Sequence, residues 1–312
     1  RFQRGVYKLS RSHVLSPDFT GVSAVFGGSN APHTGSVGHL NRQGQVAGTP
    51  GARMRDILDA VAAGDLGPAA AEAELRGYAT GDAGRFDAAR ENRSGVPEAV
   101  LAAGKTTGEV ADLATTSLET TGRAIVTRLD DHDRAALRQT IAECHPEASL
   151  QVDDRAGILV AHGPDFEGPS LDASVGVVTG GTADAVPARE ATVVAEEMGA
   201  RVERVEDVGV AALVRLTDRL EELRDHDVLI VAAGREGALP TVVAGLVDVP
   251  VIGLPVSTGY GHGGEGEAAL SGMLQSCTAL SVVNVDAGFT AGAQAGLHAR
   301  RLDEARSSSG QD

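Results

Sequence analysis

The sequence predicts an α/β protein: a three-layer, doubly wound parallel sheet preceded by a small α+β region. Three observations predict it. Five short apolar runs between Val175 and Val285 alternate with stretches of helical periodicity, the pattern of strands buried on both faces and joined by crossover helices. Each run is followed by a glycine-bearing turn. Hydrophobic residues make up 42% of the 312 but aromatics only 3%, with no Trp, so the core must be built from Ala, Val, Leu and Ile.

Residues 1–53 stand apart. They hold six of the 27 basic residues and a single acid, Asp18. Their stretch 21–51 is rich in Gly, Ser, Asn and His, and the first methionine is Met54. We read them as a disordered tail or an upstream translation artefact. Residues 54–150 form the small α+β region. Met54, Ile57, Leu58 and Val61 repeat at helical spacing, and Pro68 can open a second helix. Helices follow over 107–122 and 131–144, with Asp131 as the N-cap of the latter. A strand over 124–129 lies between them. The stretch 151–172, polar and holding Pro164 and Pro169, reads as a connecting segment.

Residues 173–300 carry the main domain. Its predicted strands are Val175–Val178, Val202–Val205, Val228–Ala232, Pro250–Leu254 and Leu280–Val285. Helices are predicted over 186–198, 210–224, 239–246 and 268–275, and 301–312 reads as a disordered tail. Ligands of such sheets bind beyond the carboxyl ends of the strands. The loops 179–184, 206–209, 233–237, 255–264 and 286–292 are therefore the place to look.

Charge narrows the function classes. Asp and Glu number 43 against 27 Lys and Arg, a net charge of −16. An acidic surface excludes general nucleic-acid binding and anionic membranes. It suits a protein that lives in high salt, where self-repulsion is screened. Two cysteines, Cys144 and Cys277, cannot form a disulfide framework, so a reducing cytoplasm is expected. There is no Cys/His cluster to suggest zinc.

Several residues could carry chemistry. Gly259-Tyr-Gly261-His-Gly-Gly264 fits G-x-G-x-x-G but follows the fourth strand, not the first, so it reads as a phosphate-approaching loop or a flexible connection, not a dinucleotide fingerprint. Gly104-Lys105-Thr106 resembles the end of a phosphate loop but has Ala99 where that motif needs glycine. Lys105 is still the only lysine after Met54, so it is either an anion contact or a chance surface residue. Cys277 is a candidate nucleophile or a small hydrophobe. Cys144, at a helix end, reads as structural. Glu236, just after the third strand, is a candidate acid/base or a helix-dipole partner. Thr182, Asp184 and Asp207 line the loops after the first two strands and could equally cap helices.

Taken together, Val177-Val-Thr-Gly-Gly-Thr-Ala-Asp184, Asp207-Val-Gly-Val-Ala211, Ala233-Gly-Arg-Glu-Gly-Ala-Leu-Pro240, Pro255-Val-Ser-Thr-Gly-Tyr-Gly261 and Val283-Asn-Val-Asp-Ala-Gly-Phe289 resemble the carboxylase domain of the LarB family. That family makes pyridinium-3,5-biscarboxylic acid mononucleotide for the nickel-pincer cofactor. Its domain is related to PurE, the aminoimidazole ribonucleotide carboxylase. Asp87-Ala-Ala-Arg90-Glu-Asn-Arg93-Ser-Gly95-Val-Pro97-Glu98 and Gly104-Lys105-Thr106 resemble the family's N-terminal signature. The resemblance spans about residues 86–295.

The resemblance implies a PurE-like fold and carboxylation of the pyridinium ring of nicotinic acid adenine dinucleotide, followed by hydrolysis of its phosphoanhydride to release AMP. Cys277 would add to the ring as a thiolate and Glu236 would move the proton, the two meeting in space. Thr179, Gly181, Thr182, Asp184, Asp207, Gly237, Ser257, Gly259, Tyr260 and Gly261 would bind CO2 or substrate. Arg90, Arg93 and Lys105 would contact its acidic groups. The implied partners are the dinucleotide, CO2 or bicarbonate, and further copies of the chain. No tightly bound cofactor and no nickel site are implied, with Mg2+ left open for the hydrolysis. Two departures are visible: Val214-Arg215 replaces the His-Arg of many relatives, and Gly180 stands where Ala is common. The PurE reaction itself is the enzyme alternative, although its Ser-Ala-His-Arg-Thr-Pro string is absent from the sequence. A nucleotide-binding regulatory module is the non-enzyme alternative.

Overall fold

A computed structural model describes residues 50–259 and 261–309, the side chains of a few helical and strand positions excepted. The expectations for residues 1–49 lie outside that range. The described chain opens with helices α1 (Pro50–Ala63) and α2 (Pro68–Arg76) and a hairpin, β1 (Ala79–Gly81) and β2 (Gly84–Phe86). The segment Asp87–Glu98, with its short helix α3 (Arg90–Ser94), leads to β3 (Val100–Leu101).

A four-stranded sheet follows, in the order β3, β4 (Arg123–Thr127), β6 (Ile158–His162), β5 (Ser149–Asp153). Helices α4 (Thr107–Thr121) and α5 (Asp131–Cys144) cover one face. Val110, Ala114, Leu118, Leu137 and Ile141 pack there against Ala124, Val126, Leu159 and Ala161. The ends of these helices follow from local chemistry. Thr106 and Glu109 form a reciprocal capping box at the start of α4, and Gly122 closes it in the left-handed conformation. Asp130, one residue before the predicted cap, accepts the N–H of Asp133 and starts α5. The stretch 151–172 is not a connector. Its first half is most of β5 and all of β6, antiparallel partners from Ser149↔His162 to Asp153↔Ile158.

The second sheet is parallel throughout. Its order is β8 (Arg201–Val205), β7 (Ser174–Thr179), β9 (Val228–Ala233), β10 (Val251–Pro255), β11 (Leu280–Val282). Alternate residues of β9 explain why its sequence is apolar without a break. Val228, Ile230 and Ala232 enter one core, with Ala188, Ala191 and Ala195 of α6 (Ala185–Glu197) and Ala291, Ala295 and Ala299 of α11 (Gly288–Ser309). Leu229, Val231 and Ala233 enter the other, with Leu239 and Val243 of α9 (Ala238–Ala244) and Met273 of α10 (Glu267–Leu274). Three layers result, as expected.

Three details differ from the sequence reading. The helix expected over 210–224 is broken into a 3-10 turn at Val210–Ala212, then α7 (Leu213–Thr217) and α8 (Leu220–Arg224). The fifth strand ends at Val282, not Val285. Residues 288–300 and most of the expected tail form α11, which runs to Ser309. Its glycines hid it from propensity. A Cβ at Gly292 would come within 2.4 Å of the Ala191 carbonyl oxygen, so glycine is what lets α11 approach α6. Among the described residues, no helix is long and apolar enough to cross a membrane.

The two sheets are fastened through α6. Val193 packs on Ile125, Ile158 and Val160. Arg123, almost fully buried, donates to the Glu197 carbonyl at 2.7 Å and pairs with Glu91 at 2.6 Å. Asp153 accepts from Arg189 at 2.6 Å.

Candidate functional site

Strand β8 lies on one side of β7 and β9 on the other, so the chain reverses direction across the sheet between β7 and β9. A crevice opens beyond the carboxyl ends of strands at such a switch point. A 240 Å³ cavity sits there, lined by the segments after β7 (Gly180, Gly181, Asp184), after β8 (Gly209, and Arg215 of α7) and after β9 (Gly234, Arg235, Glu236), with Thr258 from the loop after β10.

Asp184 ties these loops together. Its carboxylate accepts the Gly181 N–H at 2.8 Å and the Gly234 N–H at 3.1 Å. Burial pushes its carboxyl above the usual carboxylate range, while the bonds from Gly181, Gly234, Gly180 and Thr258 pull the other way. The loops approach too closely for side chains. A Cβ at Gly209 would meet the Gly180 carbonyl oxygen at 2.5 Å, and one at Gly234 the Thr258 carbonyl oxygen at 2.6 Å. The backbone is strained here as well. Asp207, Arg235 and Asp286, non-glycine residues in the loops after β8, β9 and β11, have φ of 61°, 51° and 53°. Such conformations gather at functional sites.

A second cavity of 380 Å³ adjoins the first, and Ala183 and Thr258 line both. Its other walls are Val186, Pro187, Val256, Ser257, Glu190 and Asp286, and from the first sheet's region Arg128 and Ala156.

The residues expected from the sequence separate into two groups. Gly181, Asp184 and Glu236 line the first cavity and Ser257 the second. Gly259 lies beside the Arg235 backbone. Thr179 is buried, its hydroxyl accepting the Asp207 N–H at 3.3 Å, and Asp207 pairs with Arg215 at 2.6 Å. Thr182 is exposed, and its carbonyl accepts from Arg155. Gly237, with φ 64°, starts α9 against α10, where a Cβ would strike the Ala269 carbonyl. Gly261 is also left-handed, at φ 87°, with open space around it. Tyr260 lies outside the described residues.

The second group is not brought to the cleft by this chain. Arg90 pairs with Glu98 at 2.6 Å and lies over the Phe289 ring, and Arg93 pairs with Asp87 at 2.5 Å. Lys105 is exposed and donates to the Leu101 carbonyl at 2.7 Å. Cys277 is exposed. It precedes β11, whose Leu280 pairs with Val251 at the start of β10, so it stands on the amino side of the sheet. Glu236 follows β9 on the carboxyl side. Glu236 precedes α9 and Cys277 follows α10, two helices of one layer, and the Glu236 carbonyl oxygen lies 2.3 Å from where a Cβ at Gly272 of α10 would stand.

The cationic groups that do line the cleft are Arg128, Arg215 and Arg235. Arg128 and Glu190 carried no signal in the sequence reading. Arg128 follows β4, the strand-end position that drew attention in the other sheet, and the same rule applied to both sheets would have found it. Among the described residues, no group of three or more His, Cys, Asp or Glu could hold a metal ion.

A family model described as AIR carboxylase matches residues 174–309, and one described as LarB/PurE-like N-terminal domain matches residues 78–162. An uncharacterized protein of Methanocaldococcus jannaschii is 35% identical over 257 residues, covering 80% of this chain and 98% of that protein. Among solved structures, a PurE2 variant from Treponema denticola is similar over 45% of this chain and 98% of its own, at 17% identity and a TM-score of 0.32.

Proposed function

The chain belongs to the LarB family, with a PurE-like C-terminal domain, and from that premise we propose that it carboxylates the pyridinium ring of nicotinic acid adenine dinucleotide and then hydrolyses the phosphoanhydride to release AMP. A carboxylase-type role follows from the two matched domains. The observation that most supports the finer reading is a carboxylate, Glu236, in a switch-point cleft next to a second, nucleotide-sized cavity.

A pyridinium ring is electron-poor and cannot attack CO2. A Cys277 thiolate adding to the ring turns it into an enamine, whose C5 carbon forms the new bond to CO2. Glu236 takes the proton from C5, which restores the enamine, and the enamine then expels the thiolate, breaking the C–S bond and restoring the aromatic pyridinium. Water then cleaves the anhydride. Cys277 stands before β11 and Glu236 after β9, and in this reading the thiolate comes from a second copy of the chain. The reading accordingly includes a homo-oligomer with shared sites.

Purified protein in molar salt, given bicarbonate and the dinucleotide, is expected to yield AMP and a carboxylated pyridinium mononucleotide by mass spectrometry. Cys277→Ala should yield neither. AMP without carboxylation would reduce the activity to a pyrophosphatase. Carboxylation of aminoimidazole ribonucleotide instead would favour the PurE reaction.

A further inference from the structure

We infer that the 380 Å³ cavity is a nucleoside 5′-phosphate subsite completed by Arg128 of the N-terminal domain, and that it holds the adenylate half of the substrate. The inference rests on the dinucleotide reading for the identity of the ligand, but its observations are separate.

The cavity's walls divide by chemistry. Ala156, Val186, Pro187 and Val256 form apolar sides suited to a base. Glu190 and Asp286 supply carboxylates, which accept hydrogen bonds from ribose hydroxyls. Arg128 supplies the single cation, and a guanidinium fits phosphate with two parallel N–H donors. Two acids beside one base disfavour a bare anion. They fit a ligand that brings hydroxyl donors as well as negative charge.

Arg128 is held for this position at a cost. It follows β4 with φ 61°, a conformation unfavourable for a side chain of its size. The next residue, Leu129, donates to the Gly157 carbonyl at 2.9 Å. Gly157 is itself left-handed, and a Cβ there would lie 2.3 Å from the Leu129 carbonyl oxygen. The guanidinium reaches across to the carboxylase domain. Nη2 donates to the Asp286 carbonyl at 2.9 Å, and Nε lies 3.5 Å from the Glu190 carboxylate, which is 6% exposed. Asp286 in turn accepts the Ser257 N–H at 2.9 Å. Because Ala183 and Thr258 line both cavities, a dinucleotide lying through them would place its reacting ring by Glu236 and its anhydride at the junction.

The test is calorimetric titration of the full chain with AMP, using Arg128→Asn, Glu190→Gln and Glu236→Gln. Asn tolerates the left-handed backbone, so Arg128→Asn keeps the turn, and an unchanged Tm checks this. AMP should bind the wild type, lose at least tenfold in affinity with Arg128→Asn and with Glu190→Gln, and change less than twofold with Glu236→Gln. Arg128→Lys, which keeps the charge but not the fork, should fall between. Equal AMP affinity in wild type and Arg128→Asn overturns the subsite, as does no AMP binding, or inorganic phosphate binding as tightly as AMP. The reaction assay separates the two readings. Carboxylation with an unchanged KM in Arg128→Asn removes the subsite and leaves the reaction. AMP binding that depends on Arg128, with no carboxylation by the wild type, removes the reaction and leaves a nucleotide site.

Discussion

The carboxylate of Asp184 accepts the backbone N–H of Gly234 at 3.1 Å, joining the loop after β7 to the loop after β9 across the floor of the cleft. The same carboxylate holds Gly181 at 2.8 Å, so one buried acid fixes two walls. Asp184→Asn keeps one acceptor oxygen and turns an N–H donor toward the other amide. The expected cost is about 1–3 kcal/mol of stability. Turnover should fall at least tenfold, since misplacing a cleft wall is expensive in rate. Wild-type turnover in this variant would remove Asp184 from the positioning role. Its titration has a definite sign. A carboxyl raised by burial binds its proton more tightly when folded, so stability falls as pH rises above the unfolded value of about 4. The Asn variant should lack that fall.

Asp227 titrates in the opposite direction. The Arg306 guanidinium beside it holds its carboxyl below the usual carboxylate range, and the Ser174 N–H adds to this against a smaller cost of burial. The folded pKa is depressed, so the stabilisation is present above the unfolded pKa, about 4, and is lost as pH falls through the folded value. Arg306 is about half exposed, so water screens the pair and its contribution is small. Urea melts at pH 7 should show Arg306→Gln less stable than the wild type, and the difference should shrink as the pH is lowered and Asp227 takes up its proton. An equal deficit at low pH would mean lost packing of α11, not lost charge pairing.

The parallel sheet was legible because both of its faces are buried. Strand β9 reads as an unbroken apolar run since Ile230 and Leu229 enter different cores. The β5–β6 hairpin was not, because β5 has one wet edge. Ser149 and Gln151 are exposed, and its polar sequence resembles a loop. Helix α11 was hidden by glycines whose purpose is close packing, which no propensity records. At the site, Gly181, Asp184 and Glu236 were legible from their places after strands. Arg128 was not, because the strand it follows belongs to another sheet. Nor does a linear motif say to which end of the layer α10 delivers Cys277.

The α6–α11 contact can be tested at a single methyl group. Gly292→Ala places a Cβ about 2.4 Å from the Ala191 carbonyl, so one of the helices must move. A loss of about 1–3 kcal/mol is expected from such overpacking. Gly108, exposed in α4, has nothing within 4 Å of a built Cβ. Gly108→Ala should instead gain about 0.5 kcal/mol from reduced chain entropy and better helix propensity. Chemical denaturation of both variants gives the comparison. A gain at both positions would mean that α11 sits further from α6 than described.

Cys277 and Glu236 pose the sharpest question, since one precedes β11 and the other follows β9. In the proposed reading the reaction needs both in one cleft, and two copies share each site. Cys277→Ala and Glu236→Gln should then be inactive separately. Mixed in equal amounts under conditions that exchange subunits, they should recover about a quarter of wild-type activity, because a closed symmetric assembly pairs one intact Cys277 with one intact Glu236 at that frequency. Native mass spectrometry would verify the exchange by the mixed species. Exchange without recovery would mean that the two residues serve within a single chain, or that one of them has no part in the chemistry. Activity retained by Cys277→Ala alone would remove the covalent step and leave Glu236 and the bound ring to account for carboxylation.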